Sequence, residues 1–365
     1  MNTRKSIYEN PILYIMIFIL GIGVIMLYSA SSTIAVNKYD KYYFFLNKHL
    51  IRLTIGAFAF IFMYNFNFKY LKKYSKEILF LSWIVLISGY IFNNDTSTRR
   101  WLIINGQNLF TTSDFAKFSL IIFTARYIED NKKNMNNIQL LISKYIPYLL
   151  ITLTLILYQP DLSTTFIISF IMITMLLIAG LKIKYVFIPS FLAIIGILVK
   201  IYNTPYQMKR LEDWKDGVLN TQIEHSIQAL GNGGFFGTGF GKSIIKDGFM
   251  PEVHTDFILP IIGEEIGFIG IFLIFILFIS IYFLGINVCK SAPDIFSSML
   301  AFGVTINILY YFIINASYVI GFLPTTGLPI PFISYGGSHT LFSMMSIGTL
   351  MNISKYINIY KYKKL

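Results

Sequence analysis

Apolar runs of about 20 residues, each long enough to cross a bilayer as a helix, recur along this chain from end to end. The first extends from Pro11 to about Ala30, and others lie near 50–64, 78–93, 111–128, 144–158, 163–181, 184–202, 257–285, 295–320 and 337–354. Such a pattern predicts an all-α polytopic membrane protein, with 1–365 forming one integral membrane domain of about ten transmembrane helices. Composition agrees, since 55% of residues are hydrophobic, 13% are charged and the mean hydropathy is +0.62. A soluble domain carries roughly twice that charge. Ser29-Ala30-Ser31 could pass for a signal-peptide cleavage site. The apolar run before it is longer than an ordinary signal segment and more spans follow, so it reads as the first helix.

The net charge of +12 does not imply a nucleic-acid partner, because the basic residues sit in short clusters between apolar runs. Lys69, Lys72, Lys73 and Lys76 fall in one loop, Lys132 and Lys133 in the next alternate one, then Lys182 and Lys184, then Lys290. Arg4 and Lys5 precede them on the same side, and Lys355, Lys361, Lys363 and Lys364 follow. The positive-inside bias makes that side cytoplasmic and both termini with it. The long loop between helices seven and eight, 203–256, is then extracytoplasmic. One cysteine, Cys289, excludes an internal disulfide.

That loop carries the densest chemistry. Gly231-Asn-Gly-Gly-Phe-Phe-Gly-Thr-Gly-Phe-Gly241 is too rich in glycine to be expected inside a helix or strand. Glu252, His254 and Asp256 follow, just before the apolar run beginning at Phe257. Titratable groups at the mouth of a membrane helix mark a candidate site. Glu252 and His254 lack paired metal-ligand spacing and read as shaping the loop. Glu264 and Glu265, about two turns deeper, read as structural groups with buried partners. Gly241-Lys242-Ser243 invites a phosphate-loop reading, but Phe236 stands where that pattern needs glycine. Met208 to Trp214, with Arg210, is amphipathic and suits the membrane interface.

Three other outward segments matter. Arg99 and Arg100, beside Trp101, run against the positive-inside bias; they read either as lipid-phosphate anchors or as a fork for a diphosphate ligand. Asp114 and Lys117, three apart at a helix start, form either a local ion pair or part of a site. Gln159-Pro160-Asp161-Leu162-Ser163 makes a short turn in which Asp161 or Ser163 caps the next helix. Between 321 and 338, Pro324, Pro329, Pro331 and four glycines imply broken backbone at membrane depth, which is tolerated only inside protein or beside a cavity. This segment is expected to be re-entrant and to line the same outer cavity.

Taken together these segments resemble the SEDS family, the FtsW/RodA/SpoVE group of bacterial peptidoglycan glycosyltransferases. Pro251-Glu252-Val-His254-Thr255-Asp256-Phe257 and Gly263-Glu264-Glu265 look like one family signature. Leu323-Pro324-x-Thr326-Gly327-Leu-Pro329-x-Pro331-Phe332 and Ser334-Tyr335-Gly336-Gly337-Ser338 look like another, while Arg100-Trp101, Ser113-Asp114-x-x-Lys117 and Gln159-Pro160-Asp161-Leu162 match weaker ones. The chain departs from the pattern at Thr111-Thr112-Ser113-Asp114, where the family usually has Gln-Pro-Ser-Glu. It also departs at Ser163, usually glycine, at Pro260, usually a small helix former, and at His339, usually serine.

The resemblance implies polymerisation of lipid II at the outer face of the bacterial cytoplasmic membrane, with release of undecaprenyl pyrophosphate. Asp256 corresponds to the family's aspartate, the general base. A hydroxyl nucleophile needs its proton removed as the bond forms, which suits one placed carboxylate. Arg99, Arg100, Lys117, Arg210 and a divalent cation, Mg or Mn, are candidates for the leaving diphosphate, while Asp114, Glu252, His254, Ser334 and Ser338 complete the implied substrate site. The implied partners are a class B penicillin-binding protein and other divisome or elongasome membrane proteins. Ser243-Ile-Ile-Lys246 and Thr326-Gly-Leu-Pro329 lean toward the FtsW branch, hence division, with RodA-type elongation as the alternative. A lipid II flippase is the competing function, but no inverted repeat or midplane charged site is visible. A pure scaffold would not need the Asp256 loop. The plain structural reading of Asp256 is a carboxylate at a helix N-terminus with Thr255 as its cap.

Overall fold

Every expected span that falls within the described residues is helical in the computed structural model. It describes residues 9–91, 100–104, 107–159, 161–185, 221–246 and 253–362, with Tyr202, Met208, Glu212 and Trp214. The span expected at 184–202 lies outside them beyond Tyr185. In order, the helices are α1 (Glu9–Tyr39), α2 (Phe44–Asn65), α3 (Phe68–Lys73), α4 (Ser75–Ile91), α5 (Thr112–Asn131), α6 (Ile138–Lys144), α7 (Ile146–Tyr158) and α8 (Leu162–Ile178). Beyond the long loop's first part come α9 (Thr221–Gly233), α10 (Ile258–Ile266), α11 (Phe268–Ser291), α12 (Ile295–Val319) and α13 (Gly337–Tyr362). Among the described residues four helices are long and apolar enough to cross a membrane, or five if the bent pair α6–α7 counts as one span. The chain is a multi-pass membrane protein.

The architecture corrects the sequence reading in four places. Trp101–Ile104 and Gln107–Thr111 form a small antiparallel hairpin, β1 and β2, so the chain is not wholly α. The run expected as one span at 257–285 breaks at Gly267, whose φ of 79° only glycine adopts without strain, and continues to Ser291. The span at 144–158 is the second part of a pair bent by 45°. Helix α9 runs into the glycine-rich segment by its last turn, ending at Gly233.

Helices α5 and α12 form the centre. Most of α5 is buried, as is 83% of the most apolar window of α12. Lipid tails are as apolar as leucine, so close packing and interhelical hydrogen bonds must hold such helices together. Along the α2–α13 seam, the Asn352 amide donates to the Met63 carbonyl at 2.7 Å and also to that of Phe66. Outward sides are apolar, with Phe58 and Phe62 on α2 and Phe272 on α11 exposed. The segment between α12 and α13 turns inward against the middle of α1. A Cβ at Gly23 would come within 2.9 Å of the Ile333 Cα, so only glycine lets the two backbones approach this closely.

Candidate active site

Four loop segments meet at one end of the bundle, and a chain of hydrogen bonds connects them. At the base of the hairpin, the Thr112 N–H donates to the Arg100 carbonyl at 3.0 Å. The Thr111 N–H donates to Ser338 Oγ at 2.7 Å, tying the hairpin to the start of α13. Thr112 Oγ1 donates to Gln159 Oε1 at 2.9 Å, and Ser113 Oγ to Asp161 Oδ2 at 3.0 Å. Asp161 also caps α8, accepting from the Thr164 N–H at 3.1 Å, as the turn's composition implied. Ser163 Oγ then reaches the Thr326 carbonyl at 2.6 Å. The next residue, Gly327, stands against Asp256.

Asp256 is held through its backbone. Asn315 and Tyr318, three apart on α12 and both fully buried, project to the same place. The Asn315 amide donates to the Asp256 carbonyl at 2.9 Å and the Leu328 carbonyl at 2.7 Å. The Tyr318 hydroxyl donates to the Asp256 carbonyl at 2.8 Å. One pair of side chains therefore fixes both the aspartate loop and the proline-rich segment. Gly327 has a φ of +70°, and a Cβ there would lie 3.2 Å from Asp256 Oδ2, so the carboxylate rests against a surface that only a hydrogen leaves open. Asp256 itself is half-buried. The N-cap of α10 falls on Phe257, which has no capping side chain, so neither Asp256 nor Thr255 occupies the cap position.

His254 packs between Phe45 and Tyr335, at ring separations of 4.4 and 5.3 Å, and its carbonyl accepts from the Tyr335 N–H at 2.8 Å. Burial pushes the Tyr335 phenol up, while the Arg52 guanidinium beside it acts in the opposite direction. Ser334 is buried and its Oγ accepts from the Ile330 N–H at 2.9 Å. Arg100 is exposed at the hairpin base. Lys117 sits within the bundle at 2% exposure, its Nζ 2.9 Å from Asp114 Oδ1 and 2.8 Å from the Tyr311 hydroxyl, so the local ion pair is formed. Arg99, Arg210 and Glu252 lie outside the described residues. Of the 208–214 stretch, Trp214 donates its indole N–H to the Gly321 carbonyl at 3.2 Å.

The Gly-Glu-Glu pair behaves as buried staples. Glu264 accepts from the Asn232 amide at 3.2 Å, from the Ile244 N–H at 3.3 Å and from Ser243 Oγ, which puts the Gly-Lys-Ser serine to structural use. Glu265 meets Lys246 Nζ at 2.9 Å and Ser29 Oγ at 2.6 Å. The glycine-rich loop is thereby fixed to α10 and α1. Sequence reading did not single out Asn315, Tyr318 or Arg52, and it read Lys246 as a branch-marking residue and not as the partner of Glu265. For the first two the signal was present: an amide and a phenol three apart on one face of an apolar span.

Fold and site define a multi-pass helical membrane protein with a backbone-clamped aspartate where four loop segments converge. A family model described as "Cell cycle protein", FtsW/RodA/SpoVE, matches residues 10–359. The chain belongs to that family, the SEDS proteins. It is 33% identical to stage V sporulation protein E of Bacillus subtilis, covering 98% of this chain and 99% of the relative. It is 34% identical to the probable peptidoglycan glycosyltransferase FtsW of Geobacter sp. strain M18, covering 96% and 98%. The fold is that of a chain in a solved peptidoglycan synthase complex, at a TM-score of 0.78 and 17% identity over 96% and 98% of the two chains. It is also similar to the rod shape determining protein RodA of Thermus thermophilus, at a TM-score of 0.68 and 18% identity over 94% and 95%.

Proposed function

We propose that this chain is a peptidoglycan glycosyltransferase that polymerises lipid II, with ten spans, both termini cytoplasmic and the Asp256 end facing outward. The observation that carries the proposal is the clamped Asp256 at the junction of the hairpin, the Gln159 turn and the 326–338 segment, within a family match covering nearly the whole chain. The 4-hydroxyl of the acceptor's N-acetylglucosamine attacks the anomeric carbon of the donor's N-acetylmuramic acid, and the C–O bond to undecaprenyl pyrophosphate breaks. Asp256 takes the hydroxyl proton as the new bond forms. The diphosphate leaves as a stable anion and needs no acid. One carboxylate therefore suffices where glycosidases use two.

A divalent cation enters the proposal only as a companion of the diphosphate. Among the described residues no three His, Cys, Asp or Glu side chains converge to hold one, and no step is routed through it. Arg100 is the described candidate for the departing charge, with Arg99 and Arg210. A class B penicillin-binding protein is the expected partner, alongside other divisome or elongasome membrane proteins; the likeness to a chain of a complex named for polymerization and crosslinking supports this. A septal role is favoured by Ser243-Ile-Ile-Lys246 and Thr326-Gly-Leu-Pro329. The test is incubation of the purified chain and its partner with labelled lipid II in liposomes. A ladder of glycan products supports the assignment. Movement of lipid II across the bilayer without polymer would replace it with transport.

A further inference from the structure

A diphosphate leaving group needs a cation that it can reach, and Lys117 is already engaged by Asp114 and Tyr311 inside the bundle. Arg52 differs. It lies in the third turn of α2, within a span apolar enough to cross a membrane, where an unbalanced charge is costly. Among the described residues no carboxylate lies within the 4.0 Å of an ion pair to it. Its guanidinium sits 4.6 Å from the ring centroid of Tyr335. It also presses against the start of α13, its Nε being 3.1 Å from where a Cβ on Gly337 would stand. The Tyr335 N–H in turn holds the His254 carbonyl at 2.8 Å, two residues before Asp256. Arg52 thus lies in the aspartate's own loop cluster.

The bland alternative is that Tyr335 satisfies Arg52 as a cation–π partner, a contact of roughly 0.5 to 2 kcal/mol. Even with a hydrogen bond to the Tyr335 hydroxyl added to that contact, a guanidinium has five N–H donors and keeps others for something else. The amide end of α13, against which it presses, adds partial positive charge. Lys48, one turn earlier on the same face of α2, is exposed, its Nζ 4.3 Å from the Phe44 ring centroid. Two like charges four apart oppose each other unless an anion joins them. A planar fork beside a second cation suits a diphosphate, which accepts paired N–H bonds.

We propose that Arg52 is a phosphate-binding side chain at the Asp256 end of the bundle, taking the diphosphate of a polyprenyl-linked donor. This rests on the glycosyltransferase reading above. The shared chemistry is a lipid-borne phosphate, and the headgroups of the bilayer itself are the other possible source.

The full chain in phosphatidylcholine nanodiscs is titrated with a C55 polyprenyl diphosphate, with the parent C55 polyprenol and with phosphatidylglycerol, as wild type, Arg52→Lys and Arg52→Gln. Loss of a charge-assisted contact predicts roughly 10- to 100-fold weaker diphosphate binding by Arg52→Gln, with Arg52→Lys intermediate. Polyprenol affinity should not change, and phosphatidylglycerol should not compete. Wild-type diphosphate affinity in Arg52→Gln overturns the inference. So does phosphatidylglycerol competing as well as the diphosphate in an Arg52-dependent way, which assigns the cation to bilayer phosphate. Thermal unfolding in the nanodisc checks the fold, and Arg52→Lys carries the comparison if the glutamine variant fails. Diphosphate binding lost in Arg52→Gln, while an Asp256→Asn protein polymerises normally, would sink the catalytic reading and leave this site standing. The reverse pattern would sink this site alone.

Discussion

His339 Nδ1 lies 3.7 Å from Asp114 Oδ1, and its ring stacks on Tyr311 at 4.3 Å. Both residues stand where the chain departs from the family pattern, which has a longer acid and a smaller hydroxyl. The shorter carboxylate and the larger imidazole meet in space, so the two departures share one volume. His339→Ser should therefore leave a gap beside Asp114 and destabilise the bundle by about 1–3 kcal/mol. The pair Asp114→Glu/His339→Ser should recover most of that loss. Thermal unfolding in detergent reads both, and independent, additive effects would contradict the shared-volume account.

Breaking a buried pair costs more than removing it, because the survivor keeps its charge without compensation. Lys246→Met should cost about 3–5 kcal/mol by stranding Glu265, whereas Lys246→Met with Glu265→Gln should cost clearly less. The double-mutant cycle is measured by denaturant unfolding. Equal losses in the single and double variants would show that Lys246 acts by packing alone.

The Asn315–Tyr318 clamp should set the rate more than the affinity. Tyr318→Phe removes the hydroxyl that holds the Asp256 carbonyl at 2.8 Å. The expected result is a fall in polymerisation rate of roughly 10-fold with little change in apparent KM, at a stability cost of about 1 kcal/mol. A rate like that of the wild type would mean that Asp256 does not depend on this anchor.

Much of the spans could be read from the sequence, because a 20-residue apolar run has few other uses. The hairpin at Trp101–Thr111 could not, since its strands are short and the apolar run after it begins within β2. The break at Gly267 was hidden inside a continuous apolar stretch, where one glycine is a weak signal until its φ of 79° is known. At the site, aspartate and loops were legible as motifs. The clamp was legible only as an amide and a phenol on one face of α12; what they hold was not, because the Asp256 carbonyl lies 59 and 62 residues away in sequence.

Orientation has its own test. In a Cys289→Ser background, a cysteine replacing exposed Phe236 should react with an impermeant maleimide from outside the cell, and one replacing exposed Lys133 only after permeabilisation. Ser338 is unsuitable as a reporter because it is buried. Labelling of Phe236→Cys only from the cytoplasmic side would invert the topology and remove the outer-face reading.

Gly327→Ala should act on the same carboxylate from the opposite side. A φ of +70° strains any other residue by about 1–3 kcal/mol, and the added Cβ would press on Asp256 Oδ2 from 3.2 Å. Activity should fall further than stability explains, read as polymerisation rate against the folded fraction. A loss tracking the folded fraction would leave only the strain.

The central claim is that Asp256 removes the attacking hydroxyl's proton, and Asp256→Asn tests it most directly. Asparagine keeps the size of the side chain and leaves the backbone carbonyl free to accept from Asn315 and Tyr318, so folding and membrane insertion should survive. Loss of a general base lowers rate by about 10²–10⁴-fold, enough to abolish visible glycan chains from labelled lipid II. A correctly folded Asp256→Asn protein that polymerises lipid II at the wild-type rate would contradict the assignment.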